Sequence, residues 1–200
     1  QCHGSLVVDA APSFNAIVAK NELDVVYCND HSRRKFVDAE RRDPNAKKER
    51  KSKNTQMWVA TKAIAFYKRL YQLEKRIREF TPEQKRQARQ REAVPIWETF
   101  MQWAKQVQTL GVRHAKSRMA LGYLIKHEKG LRQYCEDGRL PISNILTEHV
   151  AKTVAVARKN FMFADAPAGA TASALIFSIL ESAKANQHNP LHYMTTVLAG

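Results

Sequence analysis

The sequence predicts an α/β chain that is mostly helical: a short parallel strand pair at the start, a large all-helical block, then further helices. Three observations carry this. Two short runs rich in β-branched residues, "GSLVVDA" (4–10) and "LDVVYCN" (23–29), flank the helical-looking "SFNAIVAKN" (13–21). That is the pattern of two parallel strands joined by a helix. From His31 to Gln133 no run reads as a strand. Apolar residues through that block instead recur at spacings of three and four, the period of an amphipathic helix.

The elements follow in order. Pro12 bars the first strand from continuing as a regular ladder. Met57, Ala60, Ile64, Tyr67 and Tyr71 form a helical stripe that Leu70, Leu73, Ile77 and Phe80 continue. "TPEQ" (81–84) is a helix start, with Thr81 as cap, Pro82 in the first turn and Gln84 placed to reach back. Pro95 marks a break or kink, and Ile96, Phe100, Trp103, Val107 and Leu110 make the next stripe. Residues 114–138 read as one helix ended near Gly138. After Pro141 comes a helix around Glu148, then "RKNFMF" (158–163) as a short apolar link. Residues 169–187 are small and apolar and predict a well-buried helix. Asn189 caps a last helix with Pro190 in its first turn. These stripes suit an antiparallel bundle.

Composition bounds the partners. The chain has 200 residues, 44% of them hydrophobic, enough to bury a core. Lys and Arg number 33 against 19 acids, a formal net charge of +14, which points to a polyanion: nucleic acid first, an anionic membrane second. No apolar run approaches the roughly 20 residues that span a bilayer, and no secretory leader is visible. Cys2, Cys28 and Cys135 are odd in number and widely spaced. They do not form a disulfide framework, which fits a reducing cytoplasm. The excess charge is concentrated: residues 31–53 hold ten Lys/Arg and four acids, and residues 68–91 hold nine and three. Phosphate contact and a solvated helix face are the two readings of such runs.

Individual residues offer weaker signals. Cys28 and His31 form C-x-x-H, half of a zinc site. Zinc takes four ligands, no second pair has suitable spacing, and a packing role is favoured. Trp58, Trp97 and Trp103 lie on or beside apolar stripes and read as core. His114, Lys116 and Ser117 precede a helix, to meet DNA or to cap it. Arg158, Lys159 and Asn160 contact phosphate or brace the fold. Asp9 ends the first strand, where α/β folds place ligands, although a strand-end Asp also serves as a helix cap. Glu148 stands alone, with no other acid between Asp137 and Asp165.

Several long motifs together resemble the transposases of the insertion-sequence-sixty-six family. The family's "DGRL-IDNN-E-R-IRP-GRKNWLF" is matched by "DGRLPISNILTEHVAKTVAVARKNFMF", and its "SLIETAK-NG-P-YL--VL" by "SILESAKANQHNPLHYMTTVL". "CNDHSRRKFVDA" (28–39) resembles "CWAHARRKF-DA", and "LVVDAAPSFNAI" (6–17) resembles "LQTDGYAGYNAL". Residues 114–140 resemble "K-ALGY--NQ---L--YLEDGRL". The resemblance runs in order over essentially the whole chain.

It implies an RNase H-like core of the Asp-Asp-Glu type, interrupted by a helical insertion. The core strands would fall in residues 1–30, the insertion in 31–133, and the core helices with the Glu motif in 134–200. Asp9 falls on the second acid and Glu148 on the third. The first acid is expected upstream of residue 1. The chain therefore reads as the C-terminal part of a transposase that does not complete its metal site alone.

The implied activity is DNA strand cleavage and strand transfer with two magnesium or manganese ions. Such hard ions take carboxylate ligands, which would bring Asp9 and Glu148 within roughly 5–8 Å of each other. The implied partners are transposon-end and target DNA, contacted by Arg33, Arg34, Lys35, Lys116, Lys152, Arg158 and Lys159. A homo-oligomer in a bacterial, nucleoid-associated setting and no membrane complete the expectation. The alternative is a degenerate remnant that binds DNA through the basic helical block without catalysis. Departures from the family pattern lie beside the expected site: Ala10 and Ala11 follow Asp9, and Ser143, Ile145, His149 and Lys152 replace the family's Asp, Asn, Arg and Arg.

Overall fold

The computed structural model describes residues 4–10, 14, 18–20, 23–41, 59–161 and 166–199. The chain divides into two units, residues 1–144 and 145–200.

In the first unit, strands β1 (Ser5–Val8) and β2 (Asp24–Tyr27) pair in parallel, with Ser5 opposite Asp24 and Val8 opposite Tyr27. The Cys28 amide donates to the Val8 carbonyl at 2.8 Å and carries the ladder one step past the strands. Both predicted strands and their parallel sense are therefore observed. Most of the helix expected over 13–21 falls outside the described residues, and residues 18–20 are helical.

Helix α1 (Asn29–Arg41) follows β2 directly and lies against α2 (Val59–Arg76). The two run antiparallel, since Tyr67 donates to Ser32 at 2.6 Å and Thr61 to Glu40 at 2.6 Å. The core face of α2 is Ala60, Ala63, Phe66, Tyr67, Leu70 and Leu73, at the predicted helical spacing. The stripe ends earlier than the sequence suggests. The helix stops at Arg76, Ile77 is buried in the turn beyond it, and Phe80 is exposed. Met57 and Trp58 lie outside the described residues.

Helix α3 (Pro82–Ala88) opens with the predicted capping box: Thr81 accepts from the Gln84 amide and Gln84 accepts from the Thr81 amide. The break foreseen at Pro95 is a π turn, Arg89–Ala93, joining α3 to α4 (Val94–Leu110). The Val94 amide donates to the Arg89 carbonyl, the i→i+5 bond of a π turn. The extra residue keeps the chain helical through a position where proline offers no amide. The core face of α4 is Trp97, Phe100, Met101 and Ala104. Of the predicted stripe, Phe100 is fully buried, Ile96, Trp103 and Val107 are partly buried against the core, and Leu110 is exposed at the helix end. Trp97 stacks with Phe100 at 5.7 Å and meets Tyr67 edge-on at 6.1 Å.

The single helix expected over 114–138 is three pieces: α5 (Ala115–Lys126), α6 (Glu128–Arg132) and a 3-10 turn, Gln133–Cys135. The chain bends at His127 so that α6 can lie along β2. Gly130 permits the approach, because a Cβ there would run into the Tyr27 ring. Gly138 likewise sits where a Cβ would meet the Pro82 carbonyl. Val26 of β2 and Phe36 of α1 belong to the same buried cluster as the helical residues.

The second unit holds α7 (Ile145–Phe161), α8 (Pro167–Ala185) and α9 (Pro190–Ala199). Arg158–Phe161 are the last residues of α7, so the expected apolar link is helical there. Asn189 caps α9 as predicted, accepting from the Leu191 and His192 amides at 3.0 and 3.2 Å. The expectation of a well-buried helix over 169–187 is not met. Of the described side chains in this unit only Ala183 is buried, and Leu175 and Ile176 are exposed. Within the unit, α8 has only α7 and α9 to lie against, which cannot cover an apolar helix on all sides.

Candidate functional site

Asp9 is the residue immediately after β1, at the carboxyl end of a parallel strand, and it is half-buried. Ligands in α/β folds bind at such ends because side chains there project beyond the sheet. Asp9 lies near enough to Tyr123 of α5 for its charge to act on that phenol. Burial raises the Tyr123 pKa above the ordinary phenol range; the Ala10 amide opposes this and the Asp9 charge adds to it. Tyr123 is therefore a neutral anchor at neutral pH.

Lys35, from the second turn of α1, holds its ammonium 4.5 Å from the centre of the Tyr123 ring, a cation–π contact. A carboxylate, a phenol and an ammonium from three elements thus converge at the end of β1. The carboxylate is a hard oxygen donor of the kind magnesium prefers, and the ammonium is a ready contact for a phosphate brought to it.

The path from β2 toward the Glu148 helix is held by two buried polar residues. Asn29 donates through its backbone amide to the Ile142 carbonyl at 3.1 Å. Its side-chain amide donates to the Leu131 and Ile142 carbonyls at 3.0 and 3.2 Å. Arg89, in the π turn, is 2% exposed. It forks onto Glu74 with bonds of 2.8 and 2.7 Å and donates to the Tyr134, Asp137 and Leu140 carbonyls at 2.8, 3.0 and 3.0 Å. Arg139 grips Asp137 at 2.6 Å and holds that carboxyl down to about 2. The "EDGRLPI" segment is therefore pinned along its length. Glu148 stands in the first turn of α7, half-buried.

The other predicted residues sort as follows. Arg33 lies 3.9 Å from Asp30 and is partly exposed, and Arg34 is exposed. Lys116 is half-buried and Lys152 is exposed. Side chains of Arg158, Lys159 and Asn160, and residues Arg42 to Lys53, lie outside the described structure. His114 and Ser117 bond each other at 2.9 Å and brace the start of α5. Cys28 is fully buried, and its thiol lies within 4.8 Å of a His31 ring nitrogen. Trp97 is core and Trp103 is partly buried.

Part of the basic run over 68–91 is not available to phosphate. Arg89 is buried, and Arg76, Arg86 and Arg91 are paired with Glu92, Glu83 and Glu92. Sequence reasoning missed Tyr123, Asn29 and Arg89 as positioning residues. Tyr123 closes the "ALGY" motif and could have been found there. Arg89 looks in sequence like any other member of a charged helix.

A family model described as "Transposase IS66 family" matches residues 1–172. The chain is 24% identical over 177 residues to protein y4hP of Sinorhizobium fredii, covering 88% of this chain and 32% of that protein. It is 25% identical over 202 residues to y4jD of the same organism, covering 98% and 37%. The chain thus spans about a third of the length of the curated relatives it matches. No solved structure matches significantly. With one family model matching from the first strand into α8, and with the resembling motifs in order along the chain, the protein belongs to the IS66 family of transposases.

Proposed function

We propose that this chain acts in DNA transposition and supplies two carboxylates, Asp9 and Glu148, to a centre for DNA strand cleavage and strand transfer built on an RNase H-like core. The observation that carries the reading is the position of Asp9: the carboxyl end of a parallel strand, within electrostatic reach of Tyr123, over whose ring Lys35 lies. The first acid of the Asp-Asp-Glu set would come from outside these 200 residues. Asp9 and Glu148 would hold a pair of magnesium or manganese ions, which when bound polarise the attacking and leaving oxygens of an in-line displacement at phosphorus. The chain's own contributions are positional. Lys35, held over the Tyr123 ring, offers a cation to the incoming phosphate, and Asn29 and Arg89 hold the segment leading to the Glu148 helix. Transposon-end and target DNA are the substrates, and the active complex is a homo-oligomer.

The test is metal-dependent nicking and strand transfer by the full-length protein. Asp9→Asn and Glu148→Gln should each lower the rate by on the order of 10³-fold or more while leaving helicity unchanged. Retained activity in either variant would remove that residue from the centre. Ser143, Ile145 and His149, beside Glu148 in sequence, favour a second reading in which this copy binds DNA without cutting it. Binding by the unaltered full-length protein with no nicking in either metal would select that reading.

A further inference from the structure

Ion pairing separates the basic residues of the first unit into two sets. Arg33, Arg76, Arg78, Arg86, Arg89, Arg91, Lys105, Arg132 and Arg139 each have a carboxylate within 4.0 Å. Lys68 and Lys75, both exposed on α2, have none among the described residues. These two cations share one feature, a cleft of about 440 Å³ between α1 and α2. Arg33 of α1 stands on its other wall.

The cleft has the parts of a backbone-binding groove. Its floor includes Ile64 and the Tyr71 ring, which can carry the apolar face of a sugar. Gln72 adds a neutral donor on the rim. The Tyr71 hydroxyl is shielded from solvent beside Asp30; burial, then that carboxylate, raises its pKa far above the phenol range, so it brings no negative charge. Among the described residues Asp30 is the one acid lining the cleft, and it faces Arg33 at 3.9 Å. The charge of the two lysines is therefore surplus.

The lysines are also well placed. Leu70 and Leu73 bury the opposite face of the same turns, so the helix that carries the cations is fixed by the core. Seven residues of helix separate Lys68 from Lys75, a rise of about 10 Å. That lets the two ammonium groups meet separate phosphates of one backbone.

We propose that this α1–α2 cleft docks the phosphodiester backbone of DNA, with Lys68 and Lys75 as phosphate contacts. The proposal rests on the DNA reading given above. Lys68 and Lys75 belong together in it, whereas Arg33 is paired with Asp30 and Lys35 lies over the Tyr123 ring.

The experiment measures binding of a DNA duplex to the 200-residue chain as a function of salt, over about 50–200 mM. Each phosphate contact contributes about 0.9 to the slope of log K against log salt. Lys68→Gln/Lys75→Gln should lower that slope by about 1.8. The control, Arg86→Gln/Arg139→Gln, removes the same charge from exposed sites that are already ion-paired, and should stay near the unaltered chain. Glutamine is as good a helix former as lysine, so circular dichroism should be unchanged. An unchanged slope in the cleft variant, or an equal fall in the control, overturns the cleft and leaves the DNA reading standing. No binding by the unaltered chain at the lowest salt overturns both.

Discussion

Arg89 shows how little a residue's type says about its role. In sequence it is one of nine basic residues over 68–91; in the fold it is 2% exposed and bonds Glu74 and three carbonyls. A buried ion pair is a weak source of net stability, but removing one partner strands the other without water. Arg89→Ala should therefore cost about 3–5 kcal/mol, read from urea unfolding of the chain. Arg89→Lys should recover only part of that, since an ammonium cannot fork onto a carboxylate and reach three carbonyls at once. A loss under about 1 kcal/mol for Arg89→Ala would show that the loop is held by its other contacts. The same segment depends on Gly138, whose missing side chain leaves room for the Pro82 carbonyl.

The break between α5 and α6 is the element-scale counterpart. A helix continued straight through His127 could not bring α6 along β2. The bend puts the His127 ring between two tyrosines, 4.9 Å from Tyr27 and 4.5 Å from Tyr123. Burial lowers the His127 pKa below its ordinary 6.5, and the nearby charges of Lys126 and Lys35 lower it further. The folded state thus disfavours the protonated ring, while the unfolded chain takes up its proton near 6.5. Stability from the neutral ring is complete above that pH and is lost as pH falls through it toward the lower folded value. Thermal melts should show a decline in midpoint from about pH 6.5 downward, and His127→Gln should flatten it. A variant with the same decline would place the pH dependence elsewhere. The other helix junction, the π turn before α4, has a parallel effect: it sets which face of α4 meets the core, and so seats Trp97 there.

At the scale of the whole molecule, the two units differ in what holds them. The first has one continuous core in which Val26 of the sheet, Phe36 of α1 and the aromatic residues of α2 and α4 all take part. The second has three helices in which, among the described side chains, only Ala183 is buried, while Leu175, Ile176, Leu191 and Leu198 are exposed. Burial of apolar area is the main source of local stability. Amide hydrogen exchange should accordingly show slow, global-type protection in α2, α4 and α5 and much faster exchange through α8 and α9. Equal protection in both units would mean that the second is covered in solution by a surface it does not itself provide. No helix among the described residues is long and apolar enough to cross a membrane, so these exposed apolar residues are not part of a helical span.

By itself the sequence determined the two parallel strands, the capping box at Thr81, the Asn189 cap and the family. Each of these is local, set by two to five neighbouring residues, or is a long motif read in order. The positions of Asp9 at a strand end and of Glu148 on a helix were legible for the same reason. Only the tertiary structure decided which face of α4 is buried, where the 114–138 helix breaks, and which basic residues are free to meet a phosphate. These depend on competition among distant groups for the same space or the same carboxylate. Trp97 and Phe100 together take the centre of the α4 core face, Tyr27 requires Gly130 beneath it, and Glu74 takes Arg89 out of the basic surface while Lys68 and Lys75 remain on it.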